Sequence, residues 1–359
     1  MILLAQLPSP VISPSSSEKE VRRQREGGVP EMPSEHSLFP IVGIGASAGG
    51  LEAFKEVLRF IPDNTGMAYV LVQHLDPRHE SLLSTLLART TPMEVHEARE
   101  GMKVCVNHVY VIAPNTDMTL SQGMLQLVPR TEAGGQHLSI DTFLRSLAER
   151  QAAGALGVIL SGTATDGTLG LQAIKAAGGM TFAQDPTSAL FAEMPQSAIA
   201  TECVDFIGSP EAIARELTRI SHHPHLYRSI VRETDEESAL PEQEFLEREQ
   251  VFQQILRVLR RRTDVDFTAY KLTTLQRRIQ RRMALLQIDS MAQYLTYLSD
   301  HQAEVEALYQ DVLIGVTSFF RDSSTFQTLG REIFPRLMET KATSSPIRVW
   351  VPGCSTGEE

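Results

Sequence analysis

The sequence predicts an α/β protein, a mainly parallel and doubly wound sheet, followed by a smaller all-α region and one last strand. Three observations carry this expectation. Between Phe39 and Ile220 short apolar runs alternate with amphipathic helical stretches. From Val251 to Met338 the pattern is nearly all helical. Near the end of the chain, "IRVWVPG" reads as a strand that runs into the turn "GCSTGEE".

In chain order the strand candidates are "FPIVGIG", "MAYVLVQHL", "HVYVIAP", "MLQLVP", "ALGVILSG", "GMTFAQ" and "VDFIG". Helical stretches follow most of them: "GLEAFKEVLRFI", "HESLLSTLLART", "SIDTFLRSLAERQA", "GLQAIKAA" and "EAIARELTRI". A strand followed by a helix and then another strand implies parallel pairing with helices on both faces. "HVYVIAP" and "MLQLVP" lack a helix between them, which leaves an antiparallel hairpin open as an alternative. Residues 1–38 are rich in Pro, Ser and Glu and offer too little apolar surface to offset the entropy of ordering, so they are expected to be a disordered tail. Residues 39–220 form the sheet domain, 221–249 an acidic linker, 250–340 a helical domain and 341–359 the start of a further domain.

Composition narrows the function classes. The chain of 359 residues suits about two domains at the usual ~150 residues each. Its 33 basic and 44 acidic residues give a net charge of −11, which argues against general nucleic-acid binding. The three cysteines, Cys105, Cys203 and Cys354, form no C-x-x-C pair, so neither a disulfide framework nor a zinc site is expected and a reducing, cytoplasmic setting fits. No apolar run approaches the ~20 residues that span a bilayer. The opening "MILLAQL" lacks a basic flank and soon meets proline, so no signal peptide or membrane insertion is expected.

The stretch "IVGIGASAGGLEAF" fits two patterns. Gly43-x-Gly45-x-x-Ala48 reads as a phosphate-binding glycine turn, and Gly45-x-Ser47-x-Gly49 as a nucleophile elbow. Open parallel sheets place their sites beyond the carboxyl ends of their strands. Three such ends carry Ser47, His74 and, in "SGTATDG", Asp166. Serine, histidine and carboxylate on one sheet edge are the parts of a catalytic triad. Each also has a plain alternative: close helix packing or a phosphate cradle at "GASAGG", a surface or capping role for His74, and capping of the helix "TLGLQAIKAA" by Asp166.

The segments "IVGIGASAGGLEAF", "VLVQHLDPRHESLL", "VYVIAPNTDMTL", "SIDTFLRSLA", "GVILSGTATDGTLGLQAIKAAGG" and "AQDPTSALFAEMPQSAI" resemble the catalytic domain of chemotaxis protein-glutamate methylesterases of the CheB type. The resemblance covers residues 39–220. It implies Ser47 as nucleophile, His74 as general base, Asp166 as orienting carboxylate and the backbone N–H of Thr163 as an oxyanion donor. Two positions depart from the family pattern. Ala48 stands where threonine often follows the nucleophile, and "GGQHLSID", with Gln136 and His137, replaces a usual histidine-arginine-proline version. The receiver domain often found ahead of this esterase is not expected within residues 1–38.

From about residue 251, "YKLTTLQRRIQRRM", "YLTYLSD", "LIGVTSFFRD" and "IRVWVPGCSTGEE" resemble a chemoreceptor methyltransferase of the CheR type. That likeness implies a small helical domain and then a Rossmann-like domain for S-adenosylmethionine, with Thr317, Arg321 and Glu359 as cofactor contacts and Gly315 in place of a frequent asparagine. Because the chain ends at Glu359, an incomplete transferase, a fragment of an esterase–transferase fusion, is expected. Arg277, Arg278, Arg281 and Arg282 share one helical face. The family reading gives Arg278, Arg281 and Arg282 a role in docking acidic receptor helices; a solvated face, or packing on the acidic linker, are the alternatives. Expected partners are methyl-accepting chemoreceptor helices and other two-component signalling proteins. The rival functions are a catalytically idle scaffold and a nucleotide-binding α/β domain.

Overall fold

A computed structural model describes residues 39–73, 82–129, 138–223, 242–313, 328–340 and 350. The expected tail (1–38), most of the linker and the transferase start (341–359, apart from Trp350) lie outside those residues.

The chain enters through β1 (Ile41–Ala46), whose six residues are all buried, as a central parallel strand covered on both faces must be. It turns into α1 (Gly50–Phe60), which buries Ala53, Phe54, Val57 and Leu58 at helical spacing. Next come β2 (Ala68–Gln73), the short α2 (Leu83–Leu87), β3 (Glu94–Glu97), β4 (Met102–Lys103), β5 (His108–Val111), β6 (Thr116–Ser121) and β7 (Met124–Pro129). The domain is completed by α3 (Ser139–Gln151), β8 (Ala155–Ile159), α4 (Thr168–Ala177), β9 (Met180–Gln184), α5 (Glu193–Ala200), β10 (Phe206–Gly208) and α6 (Pro210–Ser221). Sequence chemistry sets the start of α6: the Ser209 hydroxyl accepts from the Ala212 N–H at 3.2 Å, and Pro210 takes the first position, where no N–H is needed.

The main sheet has seven strands in the order β10-β9-β8-β1-β2-β5-β3, and every neighbouring pair is parallel. The chain runs outward from β1 to β2 on one side and returns to β8 on the other. The strand order therefore reverses beside β1, at the place where open α/β sheets bind their ligands. One face of the sheet packs Val42, Ile44 and Leu71 against α1 and α6. The other packs Val70, Val72 and Ile159 against α3 and α4.

The hairpin alternative is not what forms, because the two segments lie in different sheets. "HVYV" joins the parallel sheet between β2 and β3. "MLQLVP" instead pairs antiparallel with β6 and β4 in a separate three-stranded sheet. The strands β3, β4 and β6 were not anticipated: β3 carries Glu-Val-His-Glu, and β4 is two residues long, so neither shows an apolar run.

α7 (Glu242–Thr263) begins inside the expected linker, and α8 (Leu272–Leu286), α9 (Met291–Asp300), α10 (Gln302–Leu313) and α11 (Phe334–Thr340) follow it. Phe252, Ile255, Leu259, Leu275, Ile279, Met283, Tyr294, Leu298 and Leu308 form a core of their own. Among the described residues no helix is long and apolar enough to cross a membrane.

Candidate active site

Ser47 follows the last residue of β1 at the strand-order reversal and is partly exposed. Its backbone N–H donates to the Ser161 carbonyl at 3.0 Å, which ties the turn after β1 to the turn after β8. Its carbonyl accepts from Gly50 N–H at 2.9 Å and from the Gln73 amide at 3.3 Å. Gly49 has φ 73°, the left-handed conformation that lets the chain swing from strand to helix within three residues.

The other glycines have a different task. A Cβ on Gly43 would sit 2.6 Å from Leu144 Cδ2, and one on Gly45 would sit 2.3 Å from Ile140 Cγ2. These positions are bare so that α3 can lie close against β1. The face that a dinucleotide turn would offer to a ligand is filled by Ile140, Phe143, Leu144 and Leu147. Gly49 makes the turn, while Gly43 and Gly45 make room for helix packing.

Asp166 is buried on the loop after β8. Its Oδ2 accepts from Ile140 N–H at 3.0 Å and its Oδ1 from Asp141 N–H at 2.9 Å. It thus caps the N-terminus of α3, not that of the helix that follows it in sequence, where Gly167 holds the capping position. Unsatisfied N–H groups and the helix dipole stabilise a carboxylate there. Ile140 touches both this carboxylate, through its N–H, and the space above Gly45, so one residue connects Asp166 with the strand that ends at Ser47. Beside it, burial raises the Asp141 carboxyl to about 6, with the nearby Asp166 charge adding to the rise and the Gly170 N–H, 2.7 Å from Oδ1, opposing it.

Thr163 is exposed on the same loop. The next residue, Ala164, has φ 66° and gives its N–H to Glu193 Oε2 at 3.0 Å. His74, Gln136 and His137 fall outside the described residues, as do Gly315, Thr317, Arg321 and Glu359.

A residue that pattern reading missed is Ser161. Its hydroxyl donates to the Ala48 carbonyl at 2.9 Å and accepts from Phe191 N–H at 3.0 Å, while its own N–H donates to Gln184 Oε1 at 2.9 Å. One small polar side chain thereby holds the elbow, the Asp166 loop and the loop before α5 together. "ILSGTATDG" carries the signal only weakly, since a serine at a strand end is common. Next to it Leu190 and Phe191 are exposed, with Leu190 Cβ 3.1 Å from where a Cβ on Gly49 would lie, so the elbow has an apolar rim.

The arginines on α8 correct an expectation. Arg278 and Arg281 are buried against the sheet domain rather than displayed on a docking face. Arg278 donates to the Lys175 and Ala176 carbonyls at the C-terminus of α4, where a cation meets the negative end of the helix. Arg281 donates to the Gly179 carbonyl at 2.8 Å and pairs with both Asp205 and Asp311. Lys175 lies 3.0 Å from Asp205 and 3.9 Å from Asp311. Burial by itself would raise the Asp205 carboxyl, yet Arg281 and Lys175 hold it below the usual carboxylate value. Burial moves Arg278 down to about 10, and the neighbouring Arg281 charge adds to this. Arg282 binds Glu304 at 2.9 Å, and Glu304 also accepts from the Tyr294 hydroxyl at 2.8 Å. All three guanidiniums are engaged inside the chain, so in this arrangement they form no receptor-docking surface.

Comparison with known proteins follows the same division of the chain. The model of CheB methylesterase matches residues 42–217, that of the all-alpha domain of CheR methyltransferase residues 250–313, and that of the SAM binding domain of CheR methyltransferase residues 315–359. An "uncharacterized 104.1 kDa protein in hypE 3'region" of Rhodobacter capsulatus is 36% identical over 288 residues, 77% of this chain and 30% of that protein. A protein-glutamate methylesterase/protein-glutamine glutaminase 2 of Burkholderia pseudomallei is 35% identical over 182 residues, 50% of this chain and 53% of that protein. A putative protein-glutamate methylesterase/protein-glutamine glutaminase of Leptospira interrogans is 33% identical over 191 residues, 52% of this chain and 96% of that protein. The crystal structure of the Thermotoga maritima CheB methylesterase catalytic domain is 27% identical, covers 51% of this chain and 98% of that one, and has a TM-score of 0.47. The chain spans 30% and 53% of the length of the first two relatives. With a serine elbow at the sheet's switch point and nearly full coverage of the Leptospira relative, the chain belongs to the CheB methylesterase family, joined here to CheR-type segments.

Proposed function

We propose that residues 39–220 hydrolyse γ-methyl esters of glutamate on chemoreceptor helices. Ser47 attacks the ester carbonyl, His74 takes the serine proton, and Asp166 orients the imidazole. The tetrahedral oxyanion is held by backbone N–H groups, with that of Thr163 among them. Collapse expels methanol, which leaves with the proton returned by His74; water then attacks the acyl-serine and releases the carboxylate. The same sequence acting on a glutamine side chain would expel ammonia, a deamidation. The observation that carries the reading is the placement of Ser47 at the strand-order reversal, in a turn bonded to the loop that bears a buried Asp166. A nucleotide-binding role is disfavoured because α3 fills the glycine face. S-adenosylmethionine belongs to the CheR-type segment in this reading, and no esterase step uses it.

The test is release of radiolabelled methanol from a methyl-esterified receptor by the purified chain and by Ser47→Ala and Asp166→Asn variants. Release by the parent chain that falls by orders of magnitude in Ser47→Ala is the expected result. No release from the parent would favour the idle scaffold, and equal release from both would remove Ser47 from its role.

A further inference from the structure

We propose that the edge of the main sheet carries a divalent-metal site formed by Glu94, His96 and His108, suited to zinc or a similar nitrogen-seeking ion. In a strand, alternate residues share a face, so Glu94 and His96 of β3 point the same way. Parallel pairing sets Glu94 opposite His108 and His96 opposite Tyr110, so all of these lie on one face. The His96 Nε2 is 3.3 Å from Glu94 Oε2, and the His108 Nε2 is 3.7 Å from the same oxygen. One ligand atom from each residue falls within 4.8 Å of the others. Two ligands bound to zinc at ~2.0–2.1 Å with tetrahedral angles lie about 3.3 Å apart, so small side-chain rotations bring the three into place.

The hydrogen bonding of His108 suits a metal ligand. His108 Nδ1 is 2.7 Å from the Val106 carbonyl, which only accepts, so the ring proton belongs on Nδ1. That tautomer leaves the Nε2 lone pair available on the side of the ring where Glu94 Oε2 lies. A carbonyl that fixes the far nitrogen is also the usual outer partner of a metal-bound histidine. The His96 and His108 rings are stacked, with centroids 5.5 Å apart and planes at 15°. Two imidazoles and a carboxylate are a common zinc donor set, with a fourth position open to water.

The site is at the amino ends of β3 and β5, whereas Ser47 lies at the carboxyl end of β1. An ion there would staple the edge strand to its neighbour and would not enter the ester chemistry. The test uses the full chain, stripped with a chelator and titrated with zinc against a chromophoric competitor, with melting followed in parallel. One equivalent of zinc should bind, raise the melting temperature, and bind at least about tenfold more weakly in His96→Asn and in His108→Ala. Cys105→Ser should bind as the parent does, since the exposed Cys105 thiol is not a ligand in this scheme. Melts without zinc show whether each variant is folded. Absence of stoichiometric binding at micromolar zinc, equal affinity in folded His96→Asn or His108→Ala, or loss of binding in Cys105→Ser would overturn the proposal. Methanol release is not part of the readout, so failure of the esterase reading would leave this result intact.

Discussion

Replacing Arg281 by alanine should loosen the contact between the helical and sheet domains more than any other single change on α8. The Arg281 side chain is 1% exposed, and its partners Asp205 and Asp311 are 2% and 4% exposed. Removing one member of a buried pair costs about 3–5 kcal/mol, because the remaining charge keeps its desolvation penalty without its partner. The two carboxylates are not equally exposed to that loss. Asp205 retains Lys175 at 3.0 Å and the Thr181 N–H at 2.9 Å, whereas Asp311 retains Lys175 only at 3.9 Å. Most of the penalty should therefore fall on Asp311, and the lower end of the range, about 3 kcal/mol, is expected. Asp311→Asn added to Arg281→Ala should then recover a measurable part of it. Urea titration of the whole chain, with amide exchange resolved for α8 and β9, separates undocking from global unfolding. A loss below about 1 kcal/mol, or a double variant no more stable than the single, would refute the argument that Asp311 is left as a poorly compensated buried charge.

Three further outcomes are expected. The raised Asp141 carboxyl favours its protonated form in the fold, so its contribution to stability is present below 3.8 and lost as pH rises through about 6; Asp141→Asn keeps an acceptor for Gly170 and should gain about 1–2 kcal/mol over the parent at pH 8, in a urea titration, and no gain below pH 4. Gly45→Ala places a methyl 2.3 Å from Ile140 Cγ2, and the displaced α3 should cost about 1–3 kcal/mol in thermal unfolding. Ser161→Ala removes the tie between the elbow and the Phe191 loop, so kcat for methanol release should fall about tenfold, worth ~1.4 kcal/mol, with KM nearly unchanged.

The parallel sheet was readable because its central strands are continuous apolar runs: β1, β2 and β8 are buried along nearly their whole length. Strands at an edge are not built that way. Glu94–Glu97 has one valine among two glutamates and a histidine, and what defines it as a strand is its ladder with β5, a contact that local pattern does not carry. The site divided along the same line. Ser47 directly follows β1 and Asp166 lies on the loop after β8, places that sequence can locate, but Asp166 caps a helix that begins 27 positions earlier in the chain, a relation that only the fold supplies. The α8 arginines show the converse. Their spacing correctly gave a common face, and the usual preference of charge for water gave the wrong surroundings, because helix-end carbonyls and two aspartates supply the solvation that water would have given.

That arrangement also bears on the order in which the chain folds. The bonds from Arg278 and Arg281 to Lys175, Ala176 and Gly179 span 102 or 103 positions, so they form only after a long loop has closed. The carbonyls that receive them sit where α4 ends at Gly178, whose φ of 94° turns the chain directly into β9, and this strand–helix–strand unit is local in sequence. A finished helix terminus is thus the socket, and the guanidiniums remain hydrated until it exists. Refolding followed by pulse-labelled amide exchange should find β8 and α4 protected before α8, with docking of the helical domain as the last cooperative event.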